Sequence, residues 1–261
     1  MPGDLCAGGK PGMTTGADAA AARPRRFHWT RERLFFGGMG LFILAMVLWG
    51  FARSWLLRGM NPELPPLPAI VQIHGLLFLF WVLLFISQAA LISARNLRWH
   101  RLLGFSSLAV AAAMVVLGVE VTVLQFQRGT GPPGIDPLSW LAAPLFDLPA
   151  FAGLIVAGVV WRHRPQVHKR LMLLGTCVLL QAALGRIHLF PPDFLAGEGM
   201  TLVAWLATFP LLIWDVATRG RPHVATLIGI GVLAAEQLLR LAVWNTDGWH
   251  AVARWIVSVV G

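Results

Sequence analysis

The segment RLMLLGTCVLLQAALGRIH, from Arg170 to His188, combines the length and apolar composition of a membrane helix with a row of polar side chains. At about 100° per residue, Arg170, Cys177, Gln181 and His188 fall within about 40° of one another on a helical wheel. A polar group turned towards lipid has no hydrogen-bond partner, so this row must face protein, a cofactor or trapped water. The segment therefore predicts a buried membrane helix with a polar site along one side.

The composition of the whole chain agrees with a polytopic membrane protein. Of its 261 residues, 57% are hydrophobic and 13% are charged, and the mean hydropathy is +0.68. A chain of this length has room for seven spans of about 20 residues each. We predict an all-α fold with seven transmembrane helices in one bundle, at about 34–57, 69–93, 102–125, 139–161, 169–190, 199–217 and 224–244.

Two shorter segments flank the predicted transmembrane domain at 34–245. Residues 1–33 are rich in Gly, Ala and Pro and end in a run of arginines, which predicts a disordered basic tail. No apolar core of a signal peptide precedes the first span. Residues 246–261 are amphipathic and too short to cross a bilayer, so we predict a short helix lying along the membrane surface.

The positive charge is distributed unevenly over the loops. Of the 21 Lys and Arg residues, 15 lie in the N-terminal tail and in the predicted loops at 95–101, 162–170 and 219–221. The positive-inside rule places that side and the N-terminus in the cytoplasm, and the C-terminal segment outside. We therefore expect a multi-pass protein of the bacterial inner membrane, with the lipid bilayer as its partner. The net charge of +9 is explained by these loops, so we expect no nucleic-acid partner.

Polar residues on four predicted helices lie at one depth, in the outer third of the membrane: His74, Glu120, Asp147 and His188. Two histidines with nearby carboxylates are suitable ligands for haem b or for a single transition metal ion. We predict His74 and His188 as the ligands, with Asp147 and Gln181 orienting their ring nitrogens. The alternative is that these groups form hydrogen bonds between helices and only fix the packing.

A second pair of histidines, His100 and His168, lies beside arginines at the starts of two predicted helices on the inner side. One interpretation is that both are histidines at the level of the lipid headgroups. The other is an inner axial pair which, together with the outer pair, would suit a dihaem cytochrome. Because His168 and His188 are 20 residues apart, about 30 Å along a helix, a single outer haem or metal fits the sequence better.

The last predicted span contributes Glu236 and Arg240, an i,i+4 pair that can neutralise itself. A metal-dependent membrane lipid hydrolase, with the outer carboxylates as general base, is a further hypothesis. Seven-helix zinc hydrolases carry HxxxH near the end of this helix, where the present chain has EQLLRLAVW. Whether the protein is an enzyme stays open at this point.

Three pieces of the chain resemble a bacterial family of multi-histidine polytopic membrane proteins. They are HGLLFLFWVLLFISQAALI (His74 to Ile92), LRWHRLLGFSSLAVAAAMVVLG (Leu97 to Gly118) and RPQVHKRLMLLG (Arg164 to Gly175), about the central half of the chain. The layout is more distantly similar to proteins of terminal-oxidase assembly and to b561-type cytochromes. This family resemblance implies no settled activity.

Two functions remain as the main hypotheses. The histidine and carboxylate set favours a haem- or metal-binding redox or respiratory accessory protein. If the polar rows only pack helices, the chain is instead a non-catalytic assembly or structural subunit of a respiratory or other membrane complex.

Overall fold

The computed structural model describes residues 30–60, 66–131, 134–187 and 205–261, and these ranges contain helices and no strand. The helices are α1 (Arg31–Phe51), α2 (Ala69–Ser93), α3 (Leu97–Gln127), α4 (Pro137–Trp140), α5 (Ala142–Val160), α6 (Pro165–Val178), α7 (Leu180–Leu184), α8 (Phe209–Arg219), α9 (Val224–Val243) and α10 (Asp247–Val260). A π-helical turn, Ala52–Leu56, and a 3-10 turn, Arg58–Met60, follow α1.

Six helical segments in the described ranges are long and apolar enough to cross a membrane. They are Arg31–Leu56, Ala69–Ser93, Leu97–Gln127, Pro137–Val160, Pro165–Leu184 and Val224–Val243. The prediction of an all-helical, multi-pass membrane protein is thereby confirmed. The other predicted span, 199–217, begins among residues 188–204, outside the described part of the chain, and α8 covers its second half.

Local capping explains where several helices begin and end. Thr30 Oγ1 accepts a hydrogen bond from the backbone N–H of Arg33, so α1 begins at Arg31, before the predicted residue 34. Helix α6 begins at Pro165 because proline suits the first turn of a helix. At the end of α8, Gly220 has a φ of +72°, the left-handed conformation that glycine adopts readily.

Contacts between helix termini show which of them lie together at each end of the bundle. At the end that we call the basic end, Glu32 of α1 pairs with Lys169 of α6, and the Arg33 guanidinium donates to the Ser93 carbonyl of α2 over 3.4 Å. At the other end, which we call the opposite end, the start of α4 meets α10. The starts of α1 and α6 and the end of α2 therefore lie at the same end of the bundle.

Helix α6 is the central element of the bundle. In the span Pro165–Leu184, which α6 and α7 form, 61% of the most apolar stretch is buried inside the protein, whereas the same fraction for α2 is 17%. Helix α6 packs against α5 and α9. Helix α7 follows α6 directly after Leu179. The buried polar residues on these two helices are Arg170, Cys177 and Gln181. The predicted polar row thus faces protein along its described length, and His188 lies outside the described residues.

Candidate functional sites in the bundle

Four polar side chains from three helices meet inside the bundle, and we call them the carboxylate cluster: Asp147 of α5, Gln181 of α7, and Glu236 and Arg240 of α9. The Gln181 amide donates to Asp147 Oδ1 over 3.2 Å, and Arg240 Nη1 donates to Gln181 Oε1 over 3.3 Å. The same Nη1 lies 3.9 Å from Asp147 Oδ1 and 3.8 Å from Glu236 Oε1. The structure therefore brings the predicted Asp147 and Gln181 together, around a cation.

The part played by α9 in this cluster goes beyond the sequence-based interpretation. Glu236 and Arg240 were expected to neutralise each other, yet Arg240 also serves Asp147 and Gln181. The sequence carries a signal for this, because Glu236 and Gln237 lie four and three residues before Arg240, and the three can share one buried side of a helix. Which partner that side would meet depends on how α9 packs against α5.

Unpartnered acceptors lie in and beside the carboxylate cluster. Neither side-chain oxygen of Glu236 accepts a hydrogen bond from the described residues, and the same holds for Oε1 of Gln237. A buried acceptor without a donor costs about 1–3 kcal/mol. These atoms therefore mark a place where a proton or a small polar ligand would be stabilised.

A small cavity adjoins the cluster and shares Gln181 with it. It has room for about one water molecule. Its polar lining comes from Gln181, Gln237, Thr208 and Cys177, and its remaining walls are Val178, Trp205, Ile230 and Leu233. A water held there would have the several polar partners that a buried water needs.

The predicted ligand pair His74 and His188 is described only in part. His74, near the start of α2, stacks against Phe78 with ring centroids 4.2 Å apart, and its buried Nδ1 has no hydrogen-bond partner in the described chain. His188 lies outside the described residues, so a ligand shared by the two stays a prediction. In the described ranges no three His, Cys, Asp or Glu residues are grouped to hold a metal ion.

The inner histidines, by contrast, come together from two helices. His100 of α3 and His168 of α6 have ring centroids 6.3 Å apart and ring planes at 88°. The Gly158 carbonyl lies 2.8 Å from Nδ1 of His168. Because a carbonyl oxygen only accepts, Nδ1 carries the hydrogen, and Nε2 of the neutral ring keeps its lone pair. Metal-bound histidines are commonly oriented in this way.

Further unpartnered polar atoms surround this histidine pair. Nδ1 of His100 is buried and has no hydrogen-bond partner among the described residues. Gln88 of α2, whose backbone carbonyl lies beside His100, has a buried side-chain amide that is likewise unpartnered on both atoms. Two histidines at the level of the headgroups would have water for these groups, so their burial favours a ligand between the helices.

A Ser, a His and an Asp meet at the opposite end, but their geometry does not suit a nucleophile. Ser139 Oγ lies 3.0 Å from His250 Nε2, and Asp136 Oδ2 lies 3.2 Å from the same nitrogen. In a catalytic triad, the serine and the carboxylate bind opposite nitrogens of the ring. Ser139 is also fully buried and lies 2.5 Å from Asn245 Oδ1, to which its hydroxyl donates. The three residues therefore fasten α10 to the start of α4.

Apolar contacts complete this docking of α10. Trp249 donates its indole N–H to the Leu138 carbonyl over 2.8 Å, and Trp249 and Ala253 pack against Leu141 and Ala142. On the other side of α10, large apolar side chains are exposed, namely Val252, Trp255 and Val259. This is the amphipathic pattern that the sequence predicts, and the position of α10 on a membrane surface stays a prediction.

Ser139→Ala is expected to loosen α10 and to leave chemical reactivity unchanged. The substitution removes the contacts to Asn245 and His250, which contribute on the order of 1 kcal/mol each. Amide hydrogen exchange in α10 should become faster, and a fluorophosphonate probe should not label the unmodified protein at Ser139. Ser258→Ala, which removes an exposed hydroxyl of the same helix, is the control. Labelling of Ser139 would contradict this interpretation.

A buried ion pair at the basic end joins α6, α8 and α9. Arg170 Nε lies 3.1 and 3.2 Å from the two oxygens of Asp215, and Nη2 of the same guanidinium donates a second hydrogen bond to Asp215 Oδ1. Asp215 also accepts from the backbone N–H of His223 over 3.0 Å and from the Thr226 hydroxyl. Sequence analysis did not single out Asp215, whose only signal was a lone acid one turn before a basic loop. Both oxygens of Asp215 accept hydrogen bonds from protein donors, so we interpret this carboxylate as a structural group that joins the three helices.

No family model, curated protein or solved structure matches the chain. The resemblance based on the three sequence pieces therefore stays a prediction.

Proposed function

We propose that this chain is a haem- or metal-binding redox or respiratory accessory protein of the bacterial inner membrane, with His100 and His168 as ligands. The observation that carries the proposal is the meeting of two imidazoles from different helices, 6.3 Å apart, with Nε2 of His168 left free by the bond to Gly158. A histidine that only packs has no reason to leave a buried ring nitrogen unpartnered, as His100 does at Nδ1.

The separation of the rings suits one centre between them. Two metal–nitrogen bonds of about 2 Å each, together with the inner halves of the two rings, span roughly the observed distance. His100 would gain a partner for a ring nitrogen that now has none. Haem iron or a transition metal would supply one-electron chemistry at this place. The protein would supply the orientation of His168 through Gly158 and the positive charge of Arg101 beside His100.

His74 and His188, the ligand pair predicted from the sequence, remain part of the proposal as a second centre. His74 has the unpartnered ring nitrogen that a ligand requires. Its predicted orienting residues, Asp147 and Gln181, are bound to each other and to Arg240. A centre at His74 and His188 would therefore have to draw its orienting hydrogen bonds from other groups.

Absorption spectra and elemental analysis of the detergent-purified chain test the ligand assignment. We expect a reducible Soret band or a stoichiometric transition metal, lost in His100→Ala and in His168→Ala. His163→Ala is the matched control, because His163 is an exposed histidine of the neighbouring loop. If both variants keep the cofactor and His74→Ala loses it, the centre lies at His74 instead. A colourless, metal-free protein would favour the assembly-subunit hypothesis.

The proposal includes seven spans with the N-terminus in the cytoplasm. It is supported by the 15 of 21 basic residues in the tail and in three alternate loops, and by the contacts that gather helix ends at the basic end. In a variant without Cys6 and Cys177, an impermeant thiol reagent added from outside should label Gly131→Cys and spare His163→Cys. The reverse pattern would invert the orientation, because both positions are exposed in loops at opposite ends.

A further inference from the structure

We propose that Asp147 and Glu236 form an intramembrane proton-binding site in which the two carboxyl groups hold one proton beside Arg240. The site is separate from the histidine pair of the proposed function and uses none of its residues. It rests on the geometry of the carboxylate cluster and on the unpartnered acceptors beside it.

The charged groups of the carboxylate cluster lie around one nitrogen. One oxygen of Asp147 and one of Glu236 lie within 4 Å of the same nitrogen, Nη1 of Arg240. The side chains of Glu236 and Arg240 are 4% and 6% exposed, and the three groups come from segments of membrane-spanning length. The two carboxylates thus share one guanidinium, inside the bundle.

The charges of the cluster do not balance when both carboxyl groups are ionised. An ionised carboxylate in an apolar interior costs far more than it does in water unless an opposite charge compensates it. Arg240 compensates one negative charge, and no other cation lies within 4 Å of either carboxylate in the described chain. A single proton on the pair makes the cluster neutral, whereas two ionised groups leave one net negative charge without a partner.

Hydrogen-bond donors are also lacking around Glu236. Asp147 Oδ1 already accepts from Gln181, while both oxygens of Glu236 lack a donor in the described residues. A proton held between the two carboxyl groups gives Glu236 the hydrogen bond that it lacks. One proton therefore neutralises the cluster and gives one oxygen of Glu236 a hydrogen bond, while the other Glu236 oxygen and Oε1 of Gln237 stay open to water.

The adjoining cavity gives a proton access to the cluster. The adjoining cavity touches the cluster through Gln181 and is lined on α9 by Gln237, whose Oε1 is unpartnered. A water in this cavity could donate to Gln237 and exchange a proton with the pair. Cys177 of α6 also lines the cavity and donates its S–H to the Ala207 carbonyl. Glu120 of α3 forms no ion pair in the described chain.

Infrared difference spectroscopy on the full-length protein in lipid vesicles is the direct test. A protonated carboxyl group in apolar surroundings gives a carbonyl stretch that ionised carboxylates lack. We expect one such band in the unmodified protein, lost both in Glu236→Gln and in Asp147→Asn, because either change leaves one carboxylate paired with Arg240. Glu120→Gln, the matched control, should keep this band. The band should shift in D2O if the cavity admits water.

Arg240→Gln keeps the proposal testable if the carboxylate variants fold poorly. Without the guanidinium, both carboxyl groups must be neutral, so the band should grow to about twice its intensity, an increase that misfolding does not produce. The proposal is overturned if the unmodified protein shows no protonated-carboxyl band. It is also overturned if the band survives both carboxylate substitutions, or if it does not grow in Arg240→Gln.

Discussion

Asp215→Ala is expected to lower the free energy of unfolding by about 3–5 kcal/mol, the cost of breaking a buried ion pair from one side. The Arg170 and Asp215 side chains are 1% and 0% exposed, so the guanidinium left behind would be buried without its counter-charge. The backbone N–H of His223 and the hydroxyl of Thr226 would lose their acceptor as well. Gln166, which accepts from Arg170 Nη1 through its carbonyl and its amide oxygen, would compensate only part of the loss.

The effect would be measured as the shift in unfolding midpoint of the protein in detergent. The neighbouring pair of Glu32 and Lys169 gives a matched control, because its side chains are 44% and 20% exposed. Lys169→Met should cost no more than about 1 kcal/mol, since water screens exposed ion pairs. Replacing Arg170 and Asp215 together by Met and Leu should recover most of the stability. A small effect of Asp215→Ala alone would mean that water reaches Arg170.

Gly50→Ala is expected to be the most damaging addition of a single methyl group in α1. A Cβ at Gly50 would lie 2.2 Å from the carbonyl oxygen of Ala183 in α7, and within 3 Å of two further backbone atoms of that residue. Backbone atoms cannot rotate away as the end of a side chain can, so α1 and α7 would have to separate. Overpacking of a well-packed contact costs roughly 1–3 kcal/mol, and this contact belongs at the upper end of that range.

Gly37→Ala in the same helix is the control for Gly50→Ala. A Cβ at Gly37 would meet nothing within 4 Å. Since alanine is favoured over glycine within a helix by up to about 1 kcal/mol, Gly37→Ala should leave the unfolding midpoint unchanged or raise it. Equal effects of the two substitutions would show that helix propensity, and not the approach of α7, decides the result at Gly50.

The amino-acid sequence by itself determined where the long helices run and how they alternate. Hydrophobic length identifies spans because a bilayer imposes one thickness on every helix that crosses it. Helix α2, at Ala69–Ser93, has the limits predicted from the sequence. Helix α1 begins earlier than predicted and ends at Phe51, and α3 is longer than predicted at both ends. The predicted span at 169–190 begins at Pro165 and is divided at Leu179 into α6 and α7. The row of Arg170, Cys177 and Gln181 was likewise readable, because polar residues at helical spacing cannot face lipid.

The tertiary structure alone decided which polar groups meet. Asp147, Gln181 and Arg240 lie on three helices that are far apart in the chain, and only the packing of α9 against α5 gives one guanidinium to two carboxylates. The same holds for His100 and His168, whose contact depends on how α3 and α6 meet at the basic end. Spacing along the chain fixes the face of a helix on which a residue lies, but the partner across that face depends on the rotation and crossing of whole helices.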